Sequence, residues 1–367
     1  MGRTTGQHDR RPTGPAPRVT AAEVVVPTHR YEQQQIVAEV ARETMRNLTH
    51  MGGMLRKISG NSGVTTRHPS LPLETYRRLD GFTEANSAWL EQVLDLGERA
   101  LAGALRAAGV APEDVDAVVS TTVTGVAVPS LEARLAQRVG LRPDVTRVPL
   151  FGHGCAGGAA GLARLHDHLR AYPDRVGVLL SVELCSLTHQ LSDTSMASIV
   201  PGSLFGDAAA AVVAVGGHRA EGITGPELVD ACSTLYPDSE DVLGWQIGSY
   251  GFRVVLSRDL PEITERQLPK DVSGFLGRHG LTPELVRTWI LHPGGPKVID
   301  AVERAFRLPP ETLAPSRHSL ASRGNLSSVS VLDILRTAME TPPPAGSPGL
   351  VTAMGPGFAT EQVLLRW

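Results

Sequence analysis

The sequence has few cysteines, few aromatic residues and little net charge. Its 367 residues include only three cysteines, at positions 155, 185 and 232, and their spacing fits no disulfide framework. Unpaired thiols indicate a reducing compartment, and we therefore expect a cytoplasmic protein. The formal charge is −3 and no extended run of Lys or Arg is present, which argues against a nucleic-acid-binding protein.

Long hydrophobic runs and targeting signals are absent as well. No segment approaches the roughly 18–20 consecutive apolar residues of a membrane span. The N-terminus contains basic residues and prolines without an apolar stretch, so it lacks the pattern of a secretory signal. We expect residues 1–17 to form a disordered tail and the remainder to be soluble. The cysteines lie in no Cys-x-x-Cys pair, and His166 and His168 point apart on their predicted helix, so no metal site is predicted.

The rest of the chain alternates between strand and helix patterns. β-branched apolar runs predict strands at 20–27, 115–123, 145–151, 176–184 and 207–217. Helical spacing of apolar residues predicts helices at 34–48, 88–109 and 152–172. Residues 49–85, rich in glycine and polar side chains, predict a surface excursion. The alternation continues to the C-terminus, which indicates an α/β protein with two similar halves, 18–220 and 221–367.

Cys155 is the strongest nucleophile candidate. It lies in Gly-His-Gly-Cys-Ala-Gly-Gly, between a predicted buried strand and a helix. A thiol at a helix N-terminus is favoured as thiolate, and the glycines permit a tight turn close to a substrate. The alternative is a small buried cysteine with a packing role only. We expect a functional thiol with a lowered pKa.

Two residues in the second half could assist that thiol. His292 ends an apolar strand and precedes a Gly/Pro turn, at the kind of sheet edge where α/β enzymes place their chemistry. Asn325 lies in a Gly-containing loop that leads into a helix, although Asn is also a common helix N-cap. Cys, His and Asn together suit acyl transfer with stabilisation of an oxyanion or enolate.

Six segments resemble the type III polyketide synthases, the chalcone-synthase-like enzymes of the thiolase superfamily. The segments, in order, are GHGCAGGAAGLARL at 152–165, SVELCSLT at 181–188, SLFGDAAAAVV at 203–213, LHPGGPKVID at 291–300, RGNLSSVSVLDIL at 323–335 and AMGPGFATE at 353–361. The resemblance implies a thiolase-like five-layered αβαβα fold and a homodimer. It also implies coenzyme A thioesters as substrates, with no carrier protein and no separate cofactor.

The resemblance assigns roles to individual residues. Cys155 is the acylated nucleophile, and His292 and Asn325 bind the thioester carbonyl and stabilise the enolate formed from malonyl-CoA. The residues that it places at the substrate pocket are Phe205, Val254, Thr188, Cys185, Val128, Gly357 and Ser327. Phe205 matches a gate phenylalanine, whereas Val254 replaces the second one and predicts a wider gate. The residues that it places near coenzyme A are Arg56, Lys57 and Lys297.

The segments around Cys185 and Val254 are most similar to the bacterial alkylresorcinol and alkylpyrone synthases. We therefore expect a fatty acyl-CoA starter and resorcinol, resorcylic acid or pyrone products. A malonyl-primed tetrahydroxynaphthalene synthase is the alternative within the family. Outside it, a ketoacyl-acyl-carrier-protein synthase III and a catalytically silent thiolase-fold subunit stay open, although the presence of Cys155, His292 and Asn325 argues against the second.

Overall fold

The computed structural model describes residues 14–44, 57–79, 81–189 and 196–367. The strands are β1 Arg18–Val25, β2 Tyr31–Glu32, β3 Thr66–Arg67, β4 Ala117–Thr121, β5 Thr146–Leu150, β6 Val176–Leu184, β7 Asp207–Val215, β8 Glu227–Leu235, β9 Leu243–Gly248, β10 Gly251–Leu256, β11 Thr288–Leu291, β12 Pro348–Gly355 and β13 Ala359–Arg366. The helices with defined bounds are α1 Gln33–Thr44, α2 Phe82–Ala108, α3 Leu131–Val139, α4 Gly157–Ala171, α5 Met196–Gly202, α6 Leu260–Gly277, α7 Pro296–Phe306, α8 Ala314–Arg323 and α9 Ser330–Glu340. No helix within these described ranges is long and apolar enough to cross a membrane.

Nine strands form one hydrogen-bonded series in the order β11-β12-β13-β8-β1-β7-β6-β4-β5. In the first half, β7 pairs antiparallel with both β1 and β6, and β4 lies parallel to β6. In the second half, β13 pairs antiparallel with both β8 and β12, and β11 lies parallel to β12. The two halves thus repeat one pairing pattern. They meet where β1 pairs with β8 at Arg18 and Glu227.

In the described residues, three large hydrophobic cores hold the five layers together: one on both sides of the middle helical layer and one beneath each outer helical layer. The middle core holds α4 and α9 between the two halves of the sheet, and it includes Leu162, Val331 and Val351. One outer core packs α2 and α3 against the first half, and the other packs α6, α7 and α8 against the second. Strand β7 serves two cores, because Ala208 and Ala210 face the middle one while Ala209 and Ala211 face outward. This arrangement is the predicted thiolase-like αβαβα fold.

The structure differs from the sequence-based expectations at two places. The 49–85 segment is a surface excursion only in part: residues 71–79 are exposed or partly exposed, as expected, but Ser62, Thr66 and Arg67 are buried. β5 is not a buried strand either, since it lies at the edge of the sheet and its residues are exposed or partly exposed. The polar side chains of Ser62, Thr66 and Arg67 can be buried because they hydrogen-bond to backbone carbonyl groups. Strand β5 is exposed because it is the last strand of the sheet and has a neighbouring strand on one side only.

Candidate active site

Cys155 lies in a tight turn that runs directly into α4. A short 3-10 segment, Gly154–Ala156, connects β5 to α4, and Cys155 is 8% exposed. Gly154 has a positive φ of 49°, and a Cβ there would lie 2.6 Å from Cδ of Pro356. A Cβ on Gly355 would lie 2.4 Å from the His153 carbonyl oxygen. The turn therefore requires glycine, because the two loops touch backbone to backbone.

The N-terminus of α4 packs against the loop that follows Asn325. A Cβ on Gly158 would lie 2.1 Å from the carbonyl oxygen of Ser328, so no larger residue fits. This close approach brings Ser327 near Cys155, and the Ser327 hydroxyl acts to lower the pKa of that thiol. Ser327 itself has φ 52°, the left-handed region that non-glycine residues seldom adopt. Strain of this kind is typical of loops that hold functional groups.

The backbone of Asn325 is fixed beside the predicted gate residue. Its N–H donates to the Leu204 carbonyl at 2.8 Å, and its carbonyl accepts from Gly206 N–H at 2.9 Å. The side-chain Oδ1 accepts from Ser327 N–H at 2.9 Å, and Nδ2 donates to the Gly294 carbonyl at 3.3 Å. These bonds orient the amide and connect the 325–328 loop to the loop that follows His292.

His292 continues β11 into that loop. Its N–H donates to the Thr352 carbonyl at 2.9 Å, and its carbonyl accepts from Gly294 N–H at 3.0 Å. The side chain is 2% exposed. Within the described residues its Nδ1 has no hydrogen-bond partner, although the atom is buried. A buried ring nitrogen without a partner is costly, which makes His292 a candidate for contact with a bound substrate.

Burial sets the protonation of the two reactive side chains. Burial raises the pKa of the Cys155 thiol to about 12, and burial lowers the pKa of His292 to about 4. The expected lowering of the thiol pKa is therefore wrong for this state, because desolvation outweighs the helix N-terminus. At neutral pH Cys155 is therefore a thiol and His292 a neutral imidazole, the form of histidine that can accept a proton.

Glu183 was missed by sequence reasoning, although it lies in the SVELCSLT segment. It is fully buried in β6 and accepts hydrogen bonds from Val123 N–H at 3.1 Å, from Ser327 Oγ at 3.3 Å and from Ser328 Oγ. Burial raises its pKa to about 7. The sequence did contain a sign of Glu183, because it is the one acidic residue in a mainly apolar strand. A carboxyl group buried in such a strand needs hydrogen-bond partners.

Replacing Glu183 with glutamine should reduce the pH dependence of stability. The pKa rises from 4.5 to about 7 on folding, so the folded protein binds more protons than the unfolded chain between these values. Stability therefore falls as pH rises through this window, by up to about 3 kcal/mol. Because glutamine does not ionise, the decrease in the free energy of unfolding between pH 5 and pH 8 should be much smaller in Glu183→Gln. Urea unfolding at the two pH values measures this decrease, and the exposed Glu113→Gln is the control.

An unchanged pH dependence in Glu183→Gln would contradict the raised pKa of Glu183.

A cavity opens beside the reactive residues. Four predicted pocket residues line it: Phe205, Val254, Thr188 and Cys185. The cavity wall includes Cys185 and Phe205, whereas Cys155 does not line it. The structure thus brings these four predicted gate and pocket residues together in one cavity.

The cavity wall is more aromatic and polar than the sequence suggested. Val254 lines it in place of a second gate phenylalanine, but its partner Trp245 and the nearby Phe252 also line it. Trp245 and Phe252 meet edge to face, with ring centroids 6.0 Å apart. The polar residues that line the cavity include Tyr76 and the buried Arg67 and Asp207. None of these five was predicted, since their segments are far apart in the sequence.

The remaining predicted site residues lie elsewhere. Val128 is 94% exposed, in the loop before α3, and does not line the cavity. Gly357 lies in the turn between β12 and β13, where its carbonyl accepts from Ser239 Oγ at 3.1 Å. Lys57 and Lys297 are exposed, and neither lines the cavity. Arg56 lies outside the described residues.

Comparisons with known proteins agree with this arrangement. The model of the chalcone and stilbene synthase N-terminal domain matches residues 4–218, and that of the C-terminal domain matches residues 227–367. A 1,3,6,8-tetrahydroxynaphthalene synthase of Streptomyces peucetius subsp. caesius is 51% identical over 354 residues, covering 95% of this chain and 93% of the relative. A putative chalcone synthase of Bacillus subtilis (strain 168) is 34% identical, covering 91% of this chain and 94% of the relative.

Solved structures agree as well. The crystal structure of 1,3,6,8-tetrahydroxynaphthalene synthase from Streptomyces coelicolor A3(2), a bacterial type III polyketide synthase, superimposes with a TM-score of 0.87. The two chains are 30% identical, and the match covers 95% of this chain and 99% of the other. A polyketide synthase of the brown alga Ectocarpus siliculosus, 24% identical with a TM-score of 0.88, shares the fold.

The duplicated sheet and the buried cysteine turn define a thiolase-fold enzyme that transfers acyl groups by decarboxylative carbon–carbon bond formation. Within that class, the chain belongs to the chalcone and stilbene synthase family and is a type III polyketide synthase. Members of this family use coenzyme A thioesters and need no carrier protein. The resemblance drawn from the sequence is thereby confirmed.

Proposed function

We propose that this protein is a malonyl-CoA-primed synthase that makes 1,3,6,8-tetrahydroxynaphthalene. The observation that carries the proposal is the 51% identity, over 95% of this chain, to the Streptomyces peucetius enzyme of that name. The similarity supports the alternative that the sequence left open better than the fatty acyl starter that we expected first.

The aromatic residues of the cavity wall also favour this product. Trp245 and Phe252 line the cavity, and such rings can pack against the planar rings of tetrahydroxynaphthalene. Arg67, Tyr76 and Asp207 add polar groups to a wall that is otherwise mainly apolar.

In this proposal the three reactive side chains act in order. Cys155 attacks the starter thioester while His292 accepts its proton, and the coenzyme A thiolate leaves with a proton. The thioester carbonyl of a second malonyl-CoA then binds at His292 and Asn325. Loss of carbon dioxide leaves an enolate whose oxygen accepts hydrogen bonds from both side chains. Its carbon attacks the acyl-cysteine and releases the Cys155 sulfur, which completes one extension.

The product fixes the number of units. Its ten carbons correspond to five malonyl groups that each contribute two carbons. The sum is five malonyl-CoA to one tetrahydroxynaphthalene, five carbon dioxide, five coenzyme A and one water. Four carbon dioxide molecules leave in the four extensions, and the fifth, from the starter carboxylate, leaves with the water when the rings close. No oxidant or reductant is required, so the proposal needs no cofactor beyond the thioesters. We further propose a cytoplasmic homodimer in which the exposed Val128 contacts the partner subunit, as the family resemblance implies.

Incubation with malonyl-CoA alone tests the proposal. We expect tetrahydroxynaphthalene or its oxidation product, identified by mass spectrometry, with no other starter present. Labelled malonyl-CoA should label every carbon pair of the ring system. Product that appears only after addition of a long-chain acyl-CoA would overturn malonyl priming and restore the alkylresorcinol or alkylpyrone hypothesis.

A further inference from the structure

Arg67 is a buried cation in the cavity wall. It lies in β3, is 7% exposed, and is one of the residues that line the cavity. Its Nε donates to Gln33 Oε1 at 2.9 Å, and its Nη1 donates to the carbonyls of Gly202 at 2.7 Å and Phe205 at 3.0 Å. In the described part of the chain, the hydrogen bonds of this guanidinium include none from Nη2.

The charge of Arg67 also has no direct counter-ion within the described residues. Asp207 is the acidic residue with the largest electrostatic effect on Arg67, but no ion pair joins the two side chains. The Asp207 oxygens instead accept from Ser70 N–H at 2.8 Å, Ser70 Oγ at 2.5 Å, Ser186 N–H at 2.7 Å and Ser186 Oγ. Burial lowers the pKa of Arg67 to about 10, so the side chain stays cationic at neutral pH. A buried, unpaired cation is costly unless it binds an anion.

The position of Arg67 indicates which anion it can bind. Its contact with the Phe205 carbonyl places it one residue from the catalytic loop, because Phe205 pairs with Asn325. One free guanidinium nitrogen inside a cavity wall suits a single carboxylate on an acyl chain. The phosphates of coenzyme A carry several charges and are large, and they need the open mouth of a site rather than its wall.

We propose that Arg67 binds the free carboxylate of the malonyl starter unit. This inference deepens the proposed malonyl priming and rests on it. A carboxylate bound to a guanidinium is stabilised as an anion and loses carbon dioxide more slowly than an unpaired one. Arg67 therefore selects a carboxylated starter and protects it. The extender unit loses its carboxylate because its carbonyl, not its carboxylate, is held at His292 and Asn325.

Propionyl-CoA is the matched neutral starter, because it has the same three-carbon acyl chain without the carboxylate. We expect Arg67→Gln, given malonyl-CoA and propionyl-CoA together, to shift the ratio of malonyl-primed to propionyl-primed product about ten- to hundredfold toward propionyl, the loss expected for a charged hydrogen bond. Arg67→Lys keeps the charge and should retain part of the preference. Products of the two starters differ in mass and are counted by liquid chromatography and mass spectrometry.

Two control variants separate recognition from support of the fold. Gln33→Leu removes the partner of Arg67 Nε and the bond from Gln33 Nε2 to the Ser203 carbonyl, at 2.8 Å, but keeps the cation. It should lower both products together. Arg106→Gln removes an exposed cation on α2 that does not line the cavity, and it should leave the ratio unchanged. An equal loss of both products in Arg67→Gln would reduce Arg67 to a positioning residue and overturn the proposal.

A measurement on the unmodified protein keeps the proposal testable if Arg67→Gln fails to fold. Succinyl-CoA and butyryl-CoA differ by one terminal carboxylate, and intact-mass spectrometry follows their loading on Cys155. We expect faster loading of succinyl-CoA, and equal loading would overturn the role of Arg67. Failure of the proposed malonyl priming can be told apart from failure of the Arg67 proposal. In the first case the unmodified protein would make no product from malonyl-CoA alone.

Discussion

Replacing Cys155 with alanine should reduce polyketide formation at least about a thousandfold, to the background of the uncatalysed mixture. The thiol is the group that holds the acyl chain before each extension in the proposed sequence. Loading should also vanish, since no covalent acyl-enzyme can form without the sulfur. Intact-mass spectrometry after mixing with malonyl-CoA and a chromatographic product assay measure the two effects. The change should leave the fold intact, because alanine fits where a small side chain was.

Cys185→Ala is the matched control. Cys185 is a second buried cysteine, it lines the cavity, and it interacts electrostatically with Cys155. Burial raises the pKa of both thiols, but Cys155 leads directly into α4, whereas Cys185 begins the short 3-10 segment Cys185–Thr188. Only Cys155 therefore has the N-terminus of a long helix to stabilise a thiolate. We expect this variant to keep its acyl-enzyme and most of its turnover. An acyl adduct that persists in Cys155→Ala and disappears in Cys185→Ala would transfer the nucleophile role to Cys185.

Replacing His292 with glutamine should lower product formation about a hundred- to a thousandfold. The variant loses the acceptor for the thiol proton, because an amide is not basic, and its differently placed amide N–H replaces the imidazole donor to the enolate oxygen only in part. Burial lowers the pKa of His292 to about 4, so the neutral ring is the working form at neutral pH. The rate of carbon dioxide release from malonyl-CoA measures enolate formation, and intact-mass spectrometry measures the loading of the acyl group on Cys155.

Both reporters should fall in His292→Gln, because one side chain serves both steps. The exposed His318→Gln is the control for loss of an imidazole as such, and it should match the unmodified protein. If His292→Gln loads normally and releases carbon dioxide at the full rate, the side chain has no part in either step.

The sequence predicted the central elements well because their patterns are local. β6 was expected at 176–184 and extends over Val176–Leu184, and the strand expected at 207–217 is β7, Asp207–Val215. Continuous apolar β-branched runs of this kind have few alternatives once they are buried on both faces. The gap after residue 220 was harder. β8, β9 and α6 were not predicted, since β8 and β9 are partly exposed and carry weaker patterns, and α6 contains Pro269.

Distant residues explain the differences at the site. The thiol of Cys155 was expected to have a lowered pKa from its place at a helix N-terminus, but surrounding layers desolvate it and raise the pKa. Similarly, Arg67 was part of a supposed surface segment, yet α1 and the backbone before β7 enclose it. Solvent exclusion depends on all layers at once, so no local pattern contains it.

The sequence by itself determined the fold class, the family and the three residue types that carry the chemistry, because these depend on local patterns and on motif order along the chain. Only the tertiary structure decided which side chains share the cavity. Residues from α1, β3, β7, β9 and β10, which span positions 36–254 of the chain, meet there, and α4 packs against the 325–328 loop. That packing excludes water, and exclusion of water fixes the protonation of Cys155, His292 and Glu183 and leaves Arg67 as a buried cation.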